Sequence, residues 1–151
     1  MEIITQDEVT ISNLSTRLNQ GEVIVYPTET CYGIGCDSSN QQAVEELYKI
    51  KQRRKDKPVL VIMSGLDMAR EYVHWNEKLQ QLAEKYWPGP LTLVAKARAD
   101  KNLVKPQVIA ENETLAFRFS SHPLSQKIVE EIDVPLVSTS ANISSQDTPY
   151  D

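Results

Sequence analysis

Short apolar runs rich in β-branched residues recur along this chain of 151 residues, and segments of helical periodicity separate them. This alternation predicts an α/β domain in which helices pack on a twisted sheet. The predicted strands cover residues 22–26, 58–63, 91–96, 115–119 and 134–140. Several of these runs, including the first, are continuously apolar, which predicts strands buried on both faces.

Helices are predicted over residues 7–19, 66–73, 76–86 and 123–132, with Asn76 as a cap for the third of these. A further helix is predicted to begin at a capping box formed by Ser39 and Gln42. Its apolar face would carry Ala43, Leu47 and Ile50. Residues 27–39 are predicted to form a loop, and the sequence Trp-Pro-Gly-Pro at 87–90 must interrupt any helix.

Composition limits the possible classes of protein. A length of 151 residues fits one domain of ordinary size, so residues 1–151 are expected to form a single domain. The 40% apolar and 25% charged residues are ordinary for a soluble globular protein. There is no apolar run of membrane-spanning length and no secretory signal pattern at the N-terminus, so a cytoplasmic protein is expected. Two cysteines, Cys31 and Cys36, with two histidines make a structural metal site unexpected.

Positive charge is concentrated in one stretch, residues 49–58, which holds six cationic side chains. The chain has 16 basic and 21 acidic residues, so outside this stretch acids outnumber bases two to one. Three interpretations remain open: a solvated helix end, a nucleic-acid patch, or one wall of an anion site. Like charges at i,i+4 cost about 0.2–0.5 kcal/mol per pair, and a bound polyanion would relieve that cost.

Polar residues elsewhere also have two interpretations. Residues 26–35 and 137–142 offer hydroxyls next to predicted strands, where they either cap turns or bind an anion. Arg118 lies within an apolar strand and either faces solvent or requires an anionic partner.

Five segments together resemble the TsaC/YrdC family, the L-threonylcarbamoyladenylate synthases. They are YPTETCYGIGCD, KIKQRRKDKPVLV, WPGPLTLV, AFRFSSHP and VSTSANIS, in the family's order and approximate spacing. The resemblance implies a YrdC-like fold, a twisted mixed sheet with flanking helices and a concave basic cavity. It also implies a nucleotidyltransferase that makes threonylcarbamoyl-adenylate and pyrophosphate from L-threonine, bicarbonate and ATP, for threonylcarbamoyladenosine modification of tRNA.

The same resemblance implies roles for individual residues. The Lys-x-Arg part of the family pattern falls on Lys51 and Arg53, which would be catalytic by neutralising the repulsion between two anionic reactants. Thr30, Arg118 and Ser138 would bind L-threonine, with Arg118 clamping its carboxylate.

ATP would be bound by five residues according to the resemblance: Arg53, Lys57, Thr114, Ser140 and Asn142. ATP is expected as a substrate together with Mg2+, without a structural metal held by the protein. Further expected partners are tRNA or another RNA and the other proteins of threonylcarbamoyl transfer, and no membrane is expected.

The sequence departs from the family pattern in two places. Arg54 stands where many members have proline, which would change the rigidity of the loop. The chain ends nine residues after Asn142, so the usual C-terminal tail is expected to be lacking.

Two other functions are considered beside the synthase. One is a non-catalytic module of the same fold that binds tRNA or rRNA. The other is a related enzyme that acts on carbamoyl phosphate, as in hydrogenase maturation domains of the superfamily.

Overall fold

The computed structural model describes residues 10–104 and 106–144. Six strands in these ranges form one sheet in the order β1-β2-β6-β3-β5-β4. Their bounds are β1 Ile24–Pro27, β2 Tyr32–Gly35, β3 Leu60–Ile62, β4 Leu93–Lys96, β5 Thr114–Arg118 and β6 Leu136–Ser140. The β3 and β5 strands pair in parallel and the other neighbours are antiparallel, so the predicted mixed α/β sheet is confirmed.

Five helices are present in the described part of the chain. They are α1 Ile11–Asn19, α2 Gln41–Ile50, α3 Leu66–Tyr72, α4 Glu77–Tyr86 and α5 Pro123–Ile132. The Asn76 side chain caps α4 by accepting a hydrogen bond from the backbone N–H of Leu79 at 3.0 Å, as its sequence position predicts. None of the helices in the described ranges is long and apolar enough to cross a membrane.

Strand register determines which side chains share a face of the sheet. Ile62 is paired with Arg118 on one side and with Leu136 on the other. Directly opposed residues point to the same face, and so do residues two apart along a strand. Ser138 and Ser140 therefore lie on the Arg118 face of the sheet, which we call the site face.

The opposite face of the sheet is part of the hydrophobic core. Val61, Phe117 and Val137 lie side by side there and are fully buried. The Trp87 ring packs edge-on against Phe117, with 5.7 Å between ring centroids. This packing holds the centre of the sheet rigid beneath the polar residues of the site face.

Several local predictions were wrong. Residues 32–35 form β2 rather than a loop, and β1 is an edge strand with Val25 53% exposed, not a strand buried on both faces. Asn40 caps α2 in place of Ser39, whose hydroxyl and backbone N–H bind Asp37 instead. Ile50 lies outside the apolar face and is 48% exposed.

The structure tests only part of the first predicted helix. The first helix was predicted from residue 7, and residues 7–9 lie outside the described ranges. Within those ranges the helix begins at Ile11, after Thr10 in extended conformation.

Candidate active site

Polar side chains from distant parts of the sequence meet on the site face. The β1–β2 hairpin supplies Thr28 to Cys31, the end of β5 supplies Arg118, and β6 with its following loop supplies Ser138 to Asn142. The antiparallel pairing of Gly33 with Ser140 places the hairpin directly beside β6. Two of the segments flagged in the sequence are thus neighbours in the fold.

The hairpin tip is organised by one hydroxyl. Thr28 Oγ1 donates to the carbonyl of Cys31 at 2.7 Å and accepts from the backbone N–H groups of Thr30 and Cys31, each at 3.3 Å. A hydroxyl has a single proton, so in the 3.1 Å contact between the two threonine hydroxyls Thr30 is the donor. Thr30 Oγ1 is left as an acceptor, and Arg118 Nη1 donates to it at 3.4 Å.

Arg118 is buried and paired with an acid. Its side chain is 9% exposed, and Nη1 lies 3.4 Å from Oε1 of Glu29. This settles the choice left open by the sequence in favour of an anionic partner, because a buried guanidinium without one would be strongly unfavourable. Arg118 Nε is sealed from solvent, and no atom of the described residues accepts a hydrogen bond from it.

Glu29 and Ser120 lie beside Arg118 in the site, and the sequence analysis did not predict either of them as a site residue. The Ser120 hydroxyl donates to Glu29 Oε2 and accepts from the backbone N–H of His122 at 3.2 Å. One signal could have found Glu29: it is the only acid in the hydroxyl-rich residues 26–35, and the apolar strand around Arg118 predicted an acidic partner for that arginine. No sequence pattern connects residues 29 and 118.

Lys51 joins the end of α2 to the loop after β6. Its side chain is buried, and Nζ donates to the carbonyls of Ser140 and Asn142, the latter at 2.7 Å, and to Asn142 Oδ1 at 3.4 Å. The three ammonium protons therefore all have protein acceptors. Burial, and secondarily the neighbouring charge of Arg53, lowers the pKa of Lys51. The structure thus brings Lys51 together with Ser140 and Asn142. The ammonium group donates its hydrogen bonds to the loop that contains these two residues.

The other cations of residues 49–58 differ in their environment. Arg53 donates to the carbonyls of Lys57 and Pro58 at 2.9 and 3.0 Å, which stabilises the turn between α2 and β3. Arg54 forms an exposed ion pair of 2.5 Å with Asp56. The Lys57 side chain is exposed.

Ser138 and Thr114 occupy different parts of the site face. Ser138 is buried, and its Oγ would lie 3.4 Å from a Cβ added at Gly33, so the hairpin approaches it closely. Thr114 stands at the opposite end of β5 from Arg118, about 13 Å away along an extended strand. Its hydroxyl donates to Asn112 Oδ1 at 2.7 Å. The structure therefore does not bring Thr114 next to Arg118.

The described residues show no metal-binding cluster, and their main groove lies away from the site. Among residues 10–104 and 106–144, no group of three or more His, Cys, Asp or Glu side chains is arranged to hold a metal ion. A groove of about 590 Å³ lies elsewhere, along the edge strand β4 and α4, and none of the candidate residues lines it.

Comparison with known proteins identifies the family. The model of the Sua5/YciO/YrdC family, described as "Telomere recombination", matches residues 16–151. The chain belongs to this family. The resemblance seen in the five sequence segments is thereby confirmed.

Relatives in the family carry the name threonylcarbamoyl-AMP synthase. One from Pseudoalteromonas translucida is 41% identical over 94% of the chain and 76% of its own length. One from Vibrio vulnificus is 41% identical over 90% of the chain and 75% of its own length.

Solved structures of the family share the fold. Sua5 of P. abyssi, in a structure described as complexed with L-threonine, superimposes with a TM-score of 0.86 at 28% identity. The match covers 98% of the chain but 42% of the Sua5 chain, so this protein spans less than half of that relative. The YrdC-like α/β fold is confirmed by this superposition.

Proposed function

We propose that this protein is a threonylcarbamoyl-AMP synthase. The threonine amine forms a bond with the carbon of bicarbonate, and water is lost. The resulting carbamate oxygen attacks the α-phosphorus of ATP, and the bond to the β-phosphate breaks. The products are threonylcarbamoyl-adenylate and pyrophosphate.

One observation carries the proposal. The chain superimposes over 98% of its length on a relative whose structure is described as a complex with L-threonine. On the site face, the same fold gathers Arg118, Thr30 and Ser138 from three separate segments. A guanidinium beside hydroxyl groups suits the carboxylate and hydroxyl of an amino acid such as threonine.

Threonine would bind at the hairpin. Arg118 Nη2 has no protein partner among the described residues and, unlike Nε, is not sealed from solvent. This nitrogen would donate to the threonine carboxylate. Ser138, beside the hairpin on the same face, would contribute a hydroxyl contact to threonine, and Thr30 would act as an acceptor.

ATP would bind toward the loop after β6. Arg53 and Lys57 would neutralise phosphate charge, which lowers the repulsion between the carbamate and the triphosphate. Ser140, Asn142 and Thr114 complete the proposed nucleotide site. Catalysis would consist of positioning and electrostatic stabilisation, with no covalent enzyme intermediate.

Lys51 has a different role in this proposal from Arg53. Its ammonium is fully used by the carbonyls and amide oxygen of Ser140 and Asn142. It would therefore contribute to catalysis by fixing the loop that receives the nucleotide.

The remaining partners follow from the reaction. ATP would enter as its Mg2+ complex. The product would pass to the proteins that transfer the threonylcarbamoyl group to tRNA, and the reaction would take place in the cytoplasm.

The test is pyrophosphate release from ATP, measured with and without L-threonine and bicarbonate. We expect release that requires both and is lost in Arg118→Met, whereas Lys49→Met, which removes an exposed cation, keeps wild-type activity. A longer member of the family, assayed in parallel, serves as the positive control. If that relative releases pyrophosphate and this chain does not, the synthase proposal is wrong for this chain.

An RNA-binding module without catalysis would give a different result. It would bind tRNA with a steep salt dependence and release no pyrophosphate.

A further inference from the structure

We propose that Glu29 is a positioning residue for threonine binding and that it acts through Arg118. The inference rests on the proposed synthase function. Glu29 does not have to contact threonine in this role. It determines which nitrogen of the buried guanidinium is presented to the substrate carboxylate.

Arg118 depends on Glu29 for charge balance. Within the described residues, Glu29 supplies the only carboxylate within 4.0 Å of the Arg118 side chain. Both side chains are largely buried, with 9% of Arg118 and 14% of Glu29 exposed. Removing one partner of such a pair leaves the other charge buried and uncompensated, so its conformation must change.

Glu29 is itself held in place. The Ser120 hydroxyl donates to its Oε2, and the N-terminus of α5 fixes Ser120 through the backbone N–H of His122. A chain of polar contacts therefore runs from α5 through Ser120 and Glu29 to Arg118, and on to Thr30 in the hairpin. A second-layer carboxylate held in this way can orient a binding group.

The contacts of the Arg118 guanidinium determine which of its nitrogens can reach a ligand. Glu29 Oε1 and Thr30 Oγ1 each lie 3.4 Å from Arg118 Nη1, and Arg118 Nε is sealed from solvent. Nη2 is the nitrogen left for a ligand. A guanidinium that rotated away from Glu29 would present other nitrogens, and the planar match to a carboxylate would be lost.

The main test compares Glu29→Gln with the wild-type chain. Glutamine keeps the size of the side chain and an oxygen that can accept from Ser120, but it removes the charge. We expect the Kd for L-threonine, measured by calorimetry, to rise about tenfold, and KM for threonine to rise with it. KM for ATP should stay within about twofold, and Glu131→Gln, an exposed acid on α5, should change neither value.

The path through Arg118 is tested by a double-mutant cycle. In an Arg118→Lys background, Glu29→Gln should change threonine affinity by less than about twofold, because the group it orients is gone. The proposal is overturned if Glu29→Gln binds threonine as the wild type does. It is also overturned if the same tenfold loss appears in the Arg118→Lys background.

A spectroscopic measurement separates this inference from the proposed function. The Nε–H signal of Arg118 in a 1H–15N spectrum, assigned by its loss in Arg118→Lys, should be sharp in the wild type. It should move or broaden in Glu29→Gln. If the wild type neither binds threonine nor releases pyrophosphate, the synthase proposal fails, and the substrate role of Glu29 fails with it. An unchanged Nε–H signal in Glu29→Gln overturns the Glu29 inference alone.

Discussion

Replacing Lys51 by methionine tests whether this ammonium fixes the loop after β6. Methionine keeps the unbranched apolar stem and removes all three hydrogen bonds. The two bonds to the Ser140 and Asn142 carbonyls are charge-assisted, and bonds of this kind contribute about 1.5–3 kcal/mol each, which sets an upper limit of about 3–6 kcal/mol. The 3.4 Å contact with Asn142 Oδ1 is long and adds little.

Two effects reduce this upper limit. Ser140 and Asn142 are half-buried, so water can replace part of what their carbonyls lose. Removing a buried charge also recovers part of the desolvation cost that lowers the pKa of Lys51. We therefore expect Lys51→Met to lose about 2–4 kcal/mol of unfolding free energy, and Tm to fall by about 5–15 °C.

The assay is urea unfolding, with thermal unfolding as a second measurement. Lys49→Met is the matched control, because Lys49 is exposed and its 3.4 Å ion pair with Glu46 is worth less than about 1 kcal/mol. If Lys51→Met is as stable as the wild type or more stable, Lys51 does not fix the loop. Its ammonium would then be a buried charge available to bind a ligand, and the proposed role of Lys51 in fixing the loop would be wrong.

Two further predictions concern residues next to the site. Gly35→Ala should cost at least about 2 kcal/mol in urea unfolding, because its Cβ would lie 2.2 Å from the Val137 carbonyl oxygen. Gly65→Ala has open space around the added Cβ and loses only the preference for glycine at the N-cap of α3, so it should cost no more than about 1 kcal/mol. Equal costs for the two variants would contradict the packing described. Burial raises the pKa of Cys36 to about 12, so the folded chain keeps a thiol proton that the unfolded chain loses above about pH 9, and stability should fall with rising pH there. In Cys31→Ser, a thiol reagent at pH 8 should modify Cys36 only on unfolding, and rapid modification of the native chain would contradict the burial.

The sequence predicted most of the elements because their patterns are local. The predicted strand 58–63 is apolar and contains three β-branched residues, and Asn76 lies where a helix needs a cap. The β2 strand was missed because Tyr-Gly-Ile-Gly has two glycines and no alternation of apolar with polar residues. It forms through pairing with β1 and β6. Pairing of this kind is a tertiary effect that overrides local preference.

Only part of the candidate site was predicted, because its contacts are tertiary and the sequence patterns are local. The family resemblance implies a catalytic role for Lys51 and ATP binding by Ser140 and Asn142, and the structure brings these three residues together. The direction of the Lys51 ammonium toward backbone carbonyls could not be predicted, because a backbone acceptor leaves no mark in the sequence. Glu29 was missed because its partner lies 89 positions away in the chain, and only the folded hairpin brings the two together.

The most direct test of the proposed synthase activity is to identify the product made from 13C-bicarbonate. The chain is incubated with L-threonine, Mg2+-ATP and labelled bicarbonate, and the nucleotides are analysed by mass spectrometry. We predict threonylcarbamoyl-adenylate one mass unit heavier than the product from unlabelled bicarbonate, with an equal amount of pyrophosphate. Release of AMP or pyrophosphate without the labelled carbon in a threonine adduct would contradict the proposal.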